Sequence, residues 1–280
     1  MNGKKKEVAK VICQRMIAPD IYDLWLETDL ADQAGCGQFI GVYPKNGATL
    51  LPRPISICQV KKSGENAENG IQSKNNRLQD EKTGALRLVY RIAGKGTAEF
   101  SSLKEGDEVE ILGILGNGFP VAENAEKKVV LMGGGIGIPP MLQLAKELKQ
   151  AGNEPVIIAG YRDDQLFLKD DLAQYGTVYV ATEDGSVGSK GNVLTVMKEK
   201  DLCADVIMAC GPMPMLRAIK AYTQEKGIEG YISLEERMAC GVGACLGCVC
   251  KTTKKDSHSH VNNARICTDG PVFHTEEVDI

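Results

Sequence analysis

In the first third of the chain, apolar and polar residues alternate with a period of two over short runs broken by turns. The runs cover roughly 6–16, 21–27, 38–43, 55–60, 85–92 and 108–112. A period of two places alternate side chains on one face of a strand. Six such runs with no credible helix between them predict an antiparallel six-stranded β-barrel over residues 1–122. The segment 61–84 has almost nothing to bury and reads as a long mobile hairpin loop whose removal leaves the barrel intact.

From about residue 127 the rhythm changes. Apolar runs at 129–132, 155–160, 178–182 and 205–210 alternate with the helical patterns MLQLAKELKQ and MLRAIKAYTQ. Strand and helix in alternation imply an α/β parallel-sheet nucleotide-binding domain over 123–228, with ligands at the carboxyl ends of its strands. After Gly230 this pattern stops, and a cysteine- and glycine-rich segment predicts a small third domain over 229–280.

Composition narrows the class. A chain of 280 residues, 43% hydrophobic and 25% charged, fits two modest folded domains plus an appendage. A net charge of −4, with basic runs only at Lys4-Lys5-Lys6 and Lys254-Lys255, argues against nucleic acid as a partner. No apolar run approaches the roughly 18 residues needed to cross a bilayer. The best stretch, 129–141, is broken by glycines and prolines, and the N-terminal stretch forms no apolar signal segment. No membrane association and a cytoplasmic location are therefore expected.

The distribution of the ten cysteines is more informative than their number. Cys13, Cys36, Cys58, Cys203 and Cys210 are scattered, whereas Cys240, Cys245, Cys248, Cys250 and Cys267 crowd the last 41 residues. Clustered thiols in a reducing compartment indicate a metal more than a disulfide framework. The spacing Cys240-x4-Cys245-x2-Cys248, with Cys267 at a distance, matches the plant-type arrangement of thiolates around a [2Fe–2S] cluster. Gly241, Gly243 and Gly247 are expected to supply the positive φ angles of a loop folded around the cluster. Zinc also takes four thiolates, but its usual signature is two C-x2-C knuckles, and only one pair here has that spacing. Cys250, two residues past Cys248, is either a substitute ligand or a buried bystander. His258 and His260 lie in a polar excursion, where a pair of ligands and solvated loop residues are the two readings.

Weaker motifs point to nucleotides. In RPIS, Arg53 suits bidentate pairing with a flavin diphosphate, and Ser56 is small enough to stand beside an isoalloxazine. In VYRIAGKGT, the N–H groups of Gly96 and Thr97 suit a phosphate nest. Each has a bland alternative, a surface arginine and an ordinary turn. The loop GGGIGIPPM, with Gly133, Gly134, Gly135 and Gly137, follows an apolar strand and opens a helix, so a dinucleotide can lie against it. Ile138 stands where the full fingerprint has a glycine, and a tight turn without ligand is the competing reading. A second turn, Cys210-Gly211-Pro212, ends a later strand at the same sheet edge. There Cys210 has either a packing or a hydride-positioning role. Asp163 and Asp164 beside Arg162 favour NADH over a 2′-phosphorylated cofactor.

Together these motifs resemble the ferredoxin-reductase-type flavoproteins, and among them the electron-transfer subunits of type B dihydroorotate dehydrogenases. The likeness runs through RPIS, VYR, GT, GILGNGF, GGGIGIPP, TEDGSVGSKG, ACGP, EERMACGVGACLGC and CTDGPVF in order. It implies that Arg53, Pro54, Ile55, Ser56, Val89, Tyr90, Arg91, Gly96 and Thr97 contact FAD, and that Cys240, Cys245, Cys248 and Cys267 ligate iron. Segment 61–84 and the excursion before Cys267 look longer than is usual in that family, and Ile114 stands where proline is common. By the same resemblance NADH reduces FAD, and the cluster passes electrons to an FMN-containing dihydroorotate dehydrogenase catalytic subunit. The assembly is a heterotetramer with two of each chain, acting in pyrimidine biosynthesis. The nearest rival is the small flavin and iron-sulfur subunit of an NADH-dependent ferredoxin:NADP oxidoreductase or sulfide dehydrogenase. A cluster-binding sensor without turnover is the rival from another class.

Overall fold

The computed structural model describes residues 4–46, 49–65, 83–255 and 260–280. Segment 66–82, and with it most of the expected hairpin loop, lies outside the described residues, as does His258.

Six strands form a closed barrel: β1 (Lys5–Ala18), β2 (Ile21–Glu27), β3 (Phe39–Val42), β4 (Arg53–Lys61), β5 (Ala85–Arg91) and β6 (Glu108–Leu115). Their order is β1-β2-β5-β4-β3-β6, and β1 pairs back to β6 to close the ring. The alternation seen in the sequence has its cause inside, where Leu24, Leu26, Ile57, Leu86, Leu88 and Ile111 fill the barrel. Contrary to the expectation of no helix, 3-10 turns occur at Asp29–Gln33 and Ala122–Asn124, and α1 (Lys95–Phe100) follows β5. Thr97 causes α1: its hydroxyl accepts from Ala93 N (2.8 Å) and Gly94 N (3.2 Å) and so caps the first turn.

The second sheet contains β7 (Val129–Gly134), β8 (Val156–Tyr161), β9 (Thr177–Thr182), the short β10 (Ser189–Lys190), β11 (Val206–Cys210) and β12 (Glu229–Ser233), all parallel. Its helices are α2 (Pro139–Gln150), α3 (Lys169–Leu172), α4 (Val193–Glu199) and α5 (Met213–Lys226). The cluster segment adds a small hairpin, β13 (Val249–Lys251) with β14 (Asn263–Arg265). It also returns a seventh strand, β15 (Val272–His274), antiparallel to β12. At its two ends segment 229–280 contributes β12 and β15 to the nucleotide-binding sheet.

Barrel and sheet share a core. Ile21, Cys58 and Val89 of the barrel pack with Leu131, Met141, Leu144 and Tyr161 of the sheet domain. The polar face of α2 is buried against the barrel and hydrogen-bonded there. Gln143 Oε1 accepts from Val60 N (2.8 Å), Lys146 Nζ donates to Val60 O (3.2 Å), and Glu147 Oε1 accepts from Cys36 N (2.9 Å). Arg87, buried inside the barrel wall, chelates Asp23 and reaches Asp171 of α3 at 2.8 Å. Buried polar groups matched in this way fix the relative orientation of the two units.

Candidate functional site

The barrel opens between β4 and β5. Their pairing starts only at Ile57 opposite Leu88. Before it, residues Arg53, Pro54, Ile55 and Ser56 pair with β3 alone, while Val89, Tyr90 and Arg91 pair with β2 alone. The two segments singled out as flavin contacts are therefore the two walls of one cleft. All four residues of RPIS are half-buried. On the opposite wall the side chains of Val89 and Tyr90 are in the core, with Tyr90 stacked on Tyr22 (5.7 Å) and its hydroxyl donating to Gln14 (2.9 Å). Those two residues offer the cleft main chain, and only Arg91 of the three exposes its side chain.

At the mouth of the cleft the Arg53 side chain lies over the first turn of α1. A Cβ on Gly96 would fall 2.6 Å from Arg53 Nε. The first hydrogen bond within α1 is Ala98 N to Gly94 O (2.9 Å), which leaves the N–H groups of Gly96 and Thr97 without a partner inside the helix. A guanidinium beside such N–H groups is a donor set that fits a diphosphate.

The glycine loop meets the second turn at the carboxyl ends of β7 and β11. A Cβ on Gly137 would lie 2.3 Å from Cys210 O and 2.6 Å from Gly211 N. One on Gly134 would lie 2.6 Å from Met215 Sδ and 3.1 Å from Pro212 Cδ. Only glycine permits this approach, and Gly135 also adopts φ +54. Gly133 packs its backbone against Ile138. The nearest group to the open side of Gly135 is Arg91 Nη2, 3.8 Å from a built Cβ, so the end of β5 and the glycine loop adjoin. Cys210 stands opposite Ser233 in the ladder and is hydrogen-bonded to its side chain. Burial pushes the Cys210 thiol up to about 12 against that bond, so it stays protonated.

The four cysteines come together as two pairs. The Cys240 sulfur is hydrogen-bonded to Cys245, and the Cys267 sulfur to Cys248. Backbone N–H groups of Val242 and Gly247 donate to Cys240 Sγ and Cys245 Sγ, each at 3.4 Å. Burial opposes ionisation of Cys240, but the N–H donors of Val242 and Cys245 prevail and pull its thiol down to about 6. Cys267 is pushed the other way, to about 11, by burial and by its bond to Cys248. Among the described residues no three His, Cys, Asp or Glu side chains converge on one metal ion. Two sulfur pairs, Cys240 with Cys245 and Cys248 with Cys267, are a donor set that fits two irons held by two thiolates each. Gly241 and Gly243 have positive φ as expected, but the third such residue is Leu246 (φ 55) and not Gly247, whose N–H instead reaches Cys245. Cys250 is half-buried in the adjoining apolar core and in neither sulfur pair.

The loop that carries these sulfurs rests on the barrel. A Cβ on Gly241 would lie 3.3 Å from Leu115 Cδ1, and Phe39, Leu112 and Leu115 share an apolar cluster with Cys248 and Cys267. Two residues escaped the sequence reading. Ser233 is visible only once β12 is paired with β11. Asn117 lies within GILGNGF, where no local pattern indicates its partners.

A closed barrel with a cleft between two strands, a parallel sheet whose glycine loop adjoins that cleft, and paired thiols at the barrel rim define an electron-transferring oxidoreductase of the ferredoxin-reductase type. Family models agree: the iron-sulfur cluster binding domain of dihydroorotate dehydrogenase B matches residues 235–279, and the oxidoreductase NAD-binding domain matches 131–221. The dihydroorotate dehydrogenase B (NAD(+)) electron transfer subunit of Streptococcus pneumoniae R6 is 40% identical over 97% of this chain and 98% of its own. That of Listeria monocytogenes EGD-e is 40% identical over 97% and 98%. A solved chain described under flavin-based electron bifurcation by the NADH-dependent reduced ferredoxin-NADP oxidoreductase superposes with a TM-score of 0.79. It is 26% identical and covers 100% of this chain and 91% of that one. The chain belongs to the family of dihydroorotate dehydrogenase B electron transfer subunits. No described helix is long and apolar enough to cross a membrane.

Proposed function

We propose that this chain passes electrons between NADH and an FMN-containing dihydroorotate dehydrogenase subunit, in the step of pyrimidine biosynthesis that makes orotate from dihydroorotate. FAD belongs in the β4/β5 cleft, NAD(H) at Gly133–Gly137 and Cys210–Pro212, and a [2Fe–2S] cluster on Cys240, Cys245, Cys248 and Cys267. When bound, the flavin supplies hydride acceptance with release of single electrons, and the cluster supplies one-electron transfer. Residues 1–122, 123–228 and 229–280 divide these tasks, with β12 and β15 tying the third segment to the second sheet.

Each side chain has a definite duty. Arg53 with the N–H groups of Gly96 and Thr97 anchors the diphosphate. Ser56 leaves room beside the ring, and the protonated Cys210 walls the nicotinamide without competing as a nucleophile. The carrying observation is the close approach of Gly241 to Leu115 of β6, which supports a cluster loop seated on the same barrel that opens between β4 and β5. Val242, Leu246 and Val249 expose apolar surface around the solvent-exposed Cys245, a surface suited to a docked acceptor subunit. All ten cysteines are free, which fits a reducing cytoplasm.

The likeness to the bifurcating oxidoreductase favours a second reading, a small subunit serving a larger flavin and iron-sulfur partner. Anaerobic purification with copurifying chains identified by mass separates the two. The first reading requires an FMN-containing partner in a two-plus-two assembly that reduces NAD with dihydroorotate, an activity absent from this chain alone. A larger iron-sulfur flavoprotein in its place refutes it.

A further inference from the structure

The turn that ends β6 lines neither nucleotide site, yet it grips the loop of the fourth cysteine. Asn117 N donates to Gly270 O at 2.7 Å. Its side-chain Nδ2 donates to Asp269 O at 3.1 Å and to Thr268 O at 3.3 Å. One residue thus collects the three carbonyls that follow Cys267. Close packing reinforces the grip, since Gly116 has φ +75 and a Cβ there would lie 2.5 Å from Pro271 Cδ. Within the loop, Thr268 N and Asp269 N both donate to Arg265 O, and Arg265 is ion-paired with Asp269. Beyond it, Leu234 N donates to Pro271 O (2.9 Å), fastening the chain to the second sheet.

The other side of the turn leads to the flavin cleft by main chain alone. Phe39 of β3 pairs with Ser56 on one side and with Leu115 on the other. Leu115 is two residues before Asn117. From Ser56 to the carbonyls after Cys267 the path is therefore one strand-to-strand step, one more, and a short turn. Asparagine suits this post because a short side chain delivers two N–H donors from one nitrogen. Aspartate would face the same carbonyls with charge and no donor, and alanine would release two of them to solvent and loosen the loop.

We infer that Asn117 is a positioning residue for the electron step between flavin and cluster. It fixes Cys267, and so the cluster edge that Cys267 would hold, against the barrel wall. The inference rests on the cofactor assignment of the preceding section, and the test keeps the two apart: a wild-type preparation lacking flavin or cluster absorption defeats that assignment, whatever Asn117 does.

The test uses Asn117→Ala and the milder Asn117→Ser in the holoprotein, with two readouts. The first is amide hydrogen exchange over 265–271, expected to accelerate roughly tenfold in the alanine variant from the loss of two hydrogen bonds. The second is stopped flow with NADH, monitoring flavin bleaching and cluster reduction separately. Flavin bleaching should keep its wild-type rate while cluster reduction slows on the order of tenfold, as small misplacements do. Asn117→Ser, which retains a shorter donor, should fall between and covers the case of an alanine variant that does not fold. Unchanged exchange with unchanged cluster reduction overturns the inference. So does equal slowing of both steps, which marks a merely structural residue.

Discussion

Replacing Gly96 with alanine sets two effects against each other, and the structure says which should be seen in which assay. Gly96 lies in the first turn of α1 at an ordinary negative φ, so the backbone accepts alanine. Relief of glycine's conformational entropy is worth about 0.5–1 kcal/mol, and the flavin-free protein should be as stable as before or slightly more so. The new Cβ, however, would fall 2.6 Å from Arg53 Nε, 3.1 Å from Cζ and 3.2 Å from Cγ. Heavy atoms prefer roughly 3.5–4.0 Å, so the guanidinium must move by about 1 Å. A hydrogen bond to a charged group contributes about 1.5–3 kcal/mol, so the loss of one is equivalent to roughly ten- to hundredfold in Kd for FAD. Titration of stripped protein with FAD, followed by quenching of flavin fluorescence, measures it. Arg53→Ala should weaken FAD at least as much, and the double variant no further, because both changes act on one guanidinium. Wild-type affinity in Gly96→Ala, or full additivity in the double variant, refutes the placement of Arg53 on the diphosphate.

Three further outcomes follow from the same geometry. Gly137→Ala puts a Cβ 2.3 Å from the main-chain oxygen of Cys210, which has no side-chain freedom to yield. NADH-driven bleaching should then slow on the order of a hundredfold while dithionite reduces the flavin normally, and equal loss of both would implicate folding instead. Cys245→Ser, at an exposed position, should remove the iron-sulfur absorption and leave NADH-driven flavin reduction intact, so a cluster spectrum that persists would disprove the ligand set. Arg87→Met strands the buried Asp23 and cuts the link to α3, which should cost about 3 kcal/mol and lower Tm by roughly 5–10 °C. A Tm unmoved in thermal circular dichroism would mean that Arg15, which also pairs with Asp23, suffices.

The parts of the fold legible in the sequence were those whose cause is local. The period-two runs of the barrel and the apolar strands of the second sheet follow from which face each residue buries, and the observed bounds differ mainly at the ends. Strands β12 and β15 were illegible because each is short and exists only through a partner far away in the chain. Likewise α2 looked amphipathic, and nothing local reveals that Gln143, Lys146 and Glu147 turn inward to meet a barrel strand. In the site, cysteine spacing singled out the four thiols, and only the structure shows them as two pairs. Spacing did not reveal that Leu246 takes the third positive φ while Gly247 donates to sulfur. The motif VYR lies on the end of β5 that β4 leaves unpaired, yet two of its three side chains serve the core, since a strand lining a cleft on one edge still packs a barrel on its inner face. The role of Asn117 depends on a contact across some 150 residues of chain, which no local pattern encodes.

The central claim is that electrons entering at the glycine loop leave through thiols on the barrel rim. An anaerobic titration of the purified chain with NADH, read by absorbance and by low-temperature paramagnetic resonance, addresses it directly. The account predicts that flavin bleaches and the signal of a reduced two-iron cluster grows in, with iron and flavin present at about two to one. A flavin that bleaches while the cluster stays oxidised, or a colourless protein that takes up only zinc, would contradict it.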